Sequence, residues 1–253
     1  MTANPRAILD RPSPPPDFTV AYGEHPDHVA DVRVPREGAG RLVLFFHGGF
    51  WRSAYDRTHT GPLAADLAGR GYVVASVEYR RTGAGGGWPA TFDDVAAAAS
   101  AVPGLVAART EVAGGPPLVA GHSAGGQLAL WVAHQSLVRG VLALAPVADL
   151  AVAYALGLDG GAVRDLLGGS PQEVPDRYAA ADPCALAPFG VPVTVLHGTE
   201  DANVPVGLSR TLAARDPGVT YLELPGIEHF ALIDPESVAW PQVVAALDAV
   251  TKT

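Results

Sequence analysis

Five runs in this chain, "RLVLFFHG", "YVVASVEY", "PLVAGHS", "GVLALAP" and "PVTVLHG", are apolar throughout instead of at every second residue. A strand with one wet face alternates apolar and polar side chains, so an unbroken apolar run needs cover on both faces. The segments between the runs are longer and Ala-rich, as crossover helices joining parallel strands are. Strands are expected at 18–23, 29–35, 41–47, 72–79, 117–122, 140–145, 192–197 and 219–224, and helices at 57–69, 91–108, 124–137, 204–215 and 237–250. The pattern is that of an α/β fold: an eight-stranded, mostly parallel sheet with helices on both faces. Thr91 with Asp94 resembles a capping box, and Gly140 is placed to end the helix that begins near Ala124.

Residues 147–190 carry scattered glycines and prolines, match no strand and interrupt the rhythm. They read as a small cap insertion over the sheet, within a single domain of residues 17–253, which is an ordinary size for one α/β unit. Residues 1–16 form a Pro-rich lead-in, with Pro12, Pro14, Pro15 and Pro16, and lack the apolar core of a signal peptide. A net charge of −9 with no run of Lys or Arg argues against nucleic acid or an anionic membrane as partner. The single cysteine, Cys184, precludes an internal disulfide and reads as buried packing, so a cytoplasmic location is expected. The sequence leaves monomer and homodimer equally open.

The stretch "LVAGHSAGGQLAL", residues 118–130, changes from strand-like to helix-like at Ser123 and fits G-x-S-x-G. In that pattern the turn is so sharp that the serine hydroxyl stands clear of the sheet, and glycines avoid the collisions of Cβ atoms. The N–H of Ala124, at the start of the helix, can meet a developing oxyanion. "HGGFW", residues 47–51, supplies a second donor after a buried strand, with the N–H groups of Gly49 and Phe50 as candidates. A serine needs a base: His229 in "LPGIEHF" and Asp201 in "LHGTEDANVP" complete the chain order Ser, Asp, His. Glu200 and Asp234 are the rivals for the acid.

"HGGFW", "GHSAGG", "HGTEDANVP" and "GIEHF", in this order, resemble the α/β-hydrolase superfamily, in particular the branch of kynurenine formamidase-like enzymes and small carboxylesterases. The resemblance spans roughly residues 40–250 and is specific for fold and triad but not for substrate. Phe50 stands where lipase-like relatives carry a third glycine, which moves the expectation away from lipases. The implied activity is hydrolysis of a small carboxylic ester or an activated aryl amide or formamide through an acyl-enzyme on Ser123. Its expected partner is that small-molecule substrate, and neither metal nor organic cofactor is needed. A biosynthetic thioesterase, cyclase or lactonase would use the same triad, and a non-catalytic ligand-binding relative is a further alternative.

Phe50, Trp51, Trp88 and Phe230 flank the catalytic segments and are candidates to line the substrate pocket, with the 147–190 insertion as its roof. His47 reads as a structural hydrogen-bonding residue. His122 should point away from Ser123 by strand alternation and be structural too. "GGGWPA" satisfies a dinucleotide pattern only formally, because Trp88 and Pro89 occupy the turn where a pyrophosphate would sit. His25 and His28 lack the neighbours of a metal site and read as exposed turn residues.

Overall fold

The structure is a computed structural model that describes residues 4–135 and 138–252. Its strands are β1 (Phe18–Ala21), β2 (Val29–Arg33), β3 (Arg41–Phe46), β4 (Tyr72–Val77), β5 (Leu118–His122), β6 (Gly140–Leu144), β7 (Val193–Gly198) and β8 (Val219–Leu224). They form one sheet in the order β1-β2-β4-β3-β5-β6-β7-β8. β2 is antiparallel to both β1 and β4, and every other neighbouring pair is parallel. This is the α/β-hydrolase arrangement.

The apolar strands feed two separate layers, as their composition requires. In β3, Leu42, Leu44 and Phe46 face one core, and Val43 and Phe45 face the other. The first core is closed by α2 (Ala90–Ala107), α3 (Ala124–Gln135) and α8 (Gly207–Arg215). The second is closed by α1 (Gly61–Gly69) and α9 (Trp240–Lys252). Between β6 and β7 the chain forms α4 (Leu150–Ala155), α5 (Ala162–Leu167), α6 (Pro175–Ala181) and α7 (Pro183–Leu186). Among the described residues no helix is long and apolar enough to cross a membrane.

Some local readings are corrected. The helix expected over 57–69 is a 3-10 turn, Arg57–Thr60, followed by α1. The last two residues of the helix expected over 124–137 lie outside the described residues. Gly140 does not end that helix; it opens β6, where a Cβ would come within 2.5 Å of Val250 Cγ1 and 3.0 Å of the Pro192 carbonyl. The capping box does not form either. Thr91 lies inside α2, where its Oγ1 accepts from the Gly87 amide and donates to the Arg80 carbonyl, while Asp94 binds Arg80 and His28. His28 is therefore a half-buried hydrogen-bond partner of Asp94 and not a free turn residue.

The lead-in packs on the body. Pro5–Asp10 form a 3-10 turn whose Ile8 is 1% exposed in the second core, and Arg11 pairs with Asp234 at 2.5 and 2.9 Å.

The strand order positions the site. Because β3 lies between β4 and β5, the chain crosses over after β4, and the carboxyl ends of β3 and β5 meet at Phe46 and Gly121. Loops that leave two adjacent parallel strands on opposite faces open a crevice there. The loop 47–51 and the turn at Ser123 leave from those two ends.

Candidate active site

Ser123 sits between β5 and α3 with φ of 58°, a left-handed conformation that non-glycine residues avoid at a cost of about 1–3 kcal/mol. Three backbone hydrogen bonds impose it: the Ser123 amide donates to Leu144, and its carbonyl accepts from Gln127 and Val147. The flanking glycines are steric necessities. A Cβ on Gly121 would lie 2.1 Å from the Gly125 carbonyl oxygen, and one on Gly125 would lie 2.0 Å from that of Phe46.

His229 opens the 3-10 turn His229–Ile233 after β8, and the Glu228 carboxylate caps that turn by accepting from the Phe230 amide at 2.8 Å. Its Nδ1 lies 2.5 Å from Asp201 Oδ2. Asp201 follows β7, and its other oxygen accepts from the amides of Asn203 and Val204 at 2.8 and 2.7 Å. Burial acts to raise the Asp201 pKa, but hydrogen bonds from His197, His229 and the Val204 amide outweigh it and hold the carboxyl far below the usual range. Neither rival acid comes near: Glu200 is exposed, and Asp234 is paired with Arg11.

Ser123 and His229, at 2 and 3% exposure, line one cavity together with Gly48, Gly49, Phe50 and Phe230. Among the described residues no hydrogen bond engages the N–H of Gly49, Phe50 or Ala124. Gly49 and Phe50 hold positive φ of 111° and 49°, so the loop is bent into a shape that keeps those amides out of any ladder. The bend is braced by His47, whose Nδ1 donates to the Gly48 carbonyl at 2.8 Å while Nε2 meets Glu78 Oε1 at 2.8 Å. Tyr79 stacks on the His47 ring and donates its hydroxyl to the His47 carbonyl at 2.8 Å. Burial acts to raise the Glu78 pKa, yet His47, the Arg57 amide and Arg81 hold it down at about 2.

Two aromatic expectations are corrected. Trp51 is 0% exposed and does not line the cavity; its Nε1 donates to Gln127 at 3.1 Å, tying the loop to α3. Trp88 packs on Phe92 with its backbone bonded to Leu166, also outside the cavity. Of residues 147–190 only Asp159 lines the cavity, so the insertion is a side wall more than a roof.

Three residues gain importance that the sequence did not give them. His122 lines the cavity instead of pointing away, because the left-handed Ser123 interrupts the alternation that β5 would otherwise continue. Its Nε2 donates to the His229 carbonyl at 3.0 Å, with the rings 4.3 Å apart, and burial and the nearness of His229 push its pKa well below the ordinary value. It holds the turn that carries His229. His197, four residues before Asp201 on β7, places Nε2 3.2 Å from the same oxygen that meets His229. His59 also lines the cavity, and burial, reinforced by His47, lowers its pKa to about 4, so it is neutral there. Cys184 is buried and free, with burial pushing the thiol up to about 12. Among the described residues no group of three or more His, Cys, Asp and Glu side chains is gathered to hold a metal.

A family model described as BD-FAE matches residues 30–215. Among solved structures, a truncated carbohydrate esterase from gut microbiota is similar, with a TM-score of 0.76 and 19% identity over 94% of this chain and 100% of that one. The thermophilic esterase Est2 of the Planctomycetes species Thermogutta terrifontis gives a TM-score of 0.74 and 21% identity over 95% of each chain. A putative thioesterase from Silicibacter sp. TM1040 gives 0.65 and 22%, over 91% of this chain and 86% of that one. No curated protein matches the chain.

Proposed function

The chain belongs to the BD-FAE family of α/β-hydrolase-like esterases, and on that premise we propose that it cleaves small carboxylic esters, or activated aryl amides, through an acyl-enzyme on Ser123. The observation that carries this reading is the 2.5 Å contact between His229 and Asp201 at the edge of the cavity that Ser123 lines. Ser123 Oγ attacks the carbonyl carbon as His229 Nε2 takes its proton. The oxyanion that forms accepts from Ala124 and from Gly49 or Phe50. The intermediate collapses as His229 returns the proton to the leaving alcohol or amine. Water then attacks the acyl carbon by the same route and frees Ser123. Asp201, kept ionised by its hydrogen bonds, fixes the Nδ1–H tautomer throughout.

Phe50 and Phe230 line the cavity beside Ser123, and on this reading the acyl group it takes is short. A panel of 4-nitrophenyl esters of increasing acyl length, run beside N-formyl aryl amines, tests the reading on wild type and Ser123→Ala. Short esters should be preferred, and turnover should fall by about 10⁶ in the variant. Equal rates in the two proteins would reject the serine mechanism; a preference for formyl amines would shift the substrate to the formamide class.

A further inference from the structure

The cavity has one wall that comes from the front of the chain. Arg6 and Leu9, both in the Pro5–Asp10 turn, line it beside Ser123 and His229. The turn is anchored by buried Ile8 and by the Arg11–Asp234 pair, so Arg6 is delivered to the rim from a fixed base. Its Cζ lies 5.3 Å from the centre of the Phe230 ring, and its Nη2 donates to Tyr55 Oη at 2.7 Å. Neither neighbour is an anion, and among the described residues no ion pair engages Arg6. By contrast Arg11, Arg52, Arg57 and Arg80 each meet a carboxylate. Asp159, the one carboxylate lining the cavity among the described residues, is already held by Arg52 at 2.5 Å. A guanidinium carries five N–H donors, and Tyr55 uses one, so a cation with spare donors stands at the rim of an aromatic-walled pocket.

We infer that Arg6 recognises an anionic group of the substrate, and that the ester this chain takes carries a carboxylate on the part that reaches the rim. The inference rests on the serine-hydrolase reading above. A net charge of −9 repels anions at long range, so selection for one has to come from a local cation of this kind.

Two pairs of esters, each differing mainly in charge, test it. In 4-acetoxybenzoate against its methyl ester the carboxylate is on the leaving side; in monomethyl adipate against methyl hexanoate it is on the acyl side. The charged-to-neutral ratio of kcat/KM in wild type should fall about tenfold in Arg6→Gln for at least one pair, and Arg6→Lys should recover part of it. An unchanged ratio in both pairs overturns the inference and leaves the hydrolase reading standing. An equal loss on charged and neutral esters marks Arg6 as an anchor of the turn and overturns it too. A wild type that cleaves no ester and forms no Ser123 adduct overturns both.

Discussion

Asp201→Asn removes a charge and almost no volume, and the structure dictates how the amide must sit. Oδ1 of Asp201 accepts from the Asn203 and Val204 amides, so an asparagine keeps its carbonyl oxygen there. Its NH2 then occupies the position 2.5 Å from His229 Nδ1. An NH2 only donates, so Nδ1 must accept and the ring proton moves to Nε2. A ring protonated at Nε2 cannot take a proton from Ser123. Losing the charge-assisted hydrogen bond to the imidazolium costs about 1.5–3 kcal/mol, or about 10- to 150-fold. The wrong tautomer carries the total to about 10⁴, the scale seen when the corresponding carboxylate of another serine-hydrolase triad is amidated. The assay is kcat/KM on 4-nitrophenyl acetate, with circular dichroism to verify the fold. The loss should lie in kcat. A folded Asp201→Asn protein that loses less than about tenfold would refute the argument, because the bond to His229 could not then be orienting the base. Exposed Glu200, which does not touch His229, serves as the control: Glu200→Gln should keep the wild-type rate.

Other substitutions separate the scaffold from the chemistry. Gly125→Ala places a Cβ 2.0 Å from the Phe46 carbonyl oxygen, so a loss of about 1–3 kcal/mol in urea unfolding and a collapse of activity are expected; unchanged stability would show that the elbow is looser than described. Trp51→Phe leaves Gln127 Oε1 without its donor at a fully buried position and should cost about 1–3 kcal/mol in the same assay, whereas no loss would deny the strut between loop and α3. The Glu78 pKa is depressed from 4.5 to about 2, so its contribution is present above pH 4.5 and lost as pH falls toward 2. That shift corresponds to about 3 kcal/mol, so Glu78→Gln should be less stable than wild type by about this much at neutral pH, with the gap closing toward pH 2; a gap independent of pH would contradict the sign.

Much of this arrangement was readable from the chain because its signals are local. Ser123 and Asp201 follow the buried strands β5 and β7, His229 comes after the half-exposed edge strand β8, and a parallel sheet delivers the loops after such strands to one edge, so order and motif were enough to expect them there. What could not be read depended on tertiary geometry. Strand alternation sent His122 the wrong way because the left-handed Ser123 ends the alternation one residue later. Trp51 looked like a pocket wall by its place in "HGGFW", but its partner Gln127 lies 76 residues on, in a helix that sequence alone does not bring to it. Thr91 and Asp94 had cap spacing, yet Arg80, His28 and Gly87 offered them stronger partners. Arg6 carried no signal at all. A Pro-rich lead-in has no periodicity, and only the burial of Ile8 and the bond to Asp234 place it at the site.

The central claim is that Ser123 is the nucleophile, and the most direct measurement is intact-protein and peptide mass spectrometry after treatment with a fluorophosphonate. One adduct per chain, on the peptide that contains Ser123, is the result this account requires, with none in Ser123→Ala. An adduct on another residue, or an esterase that stays active while Ser123 remains unmodified, would contradict it.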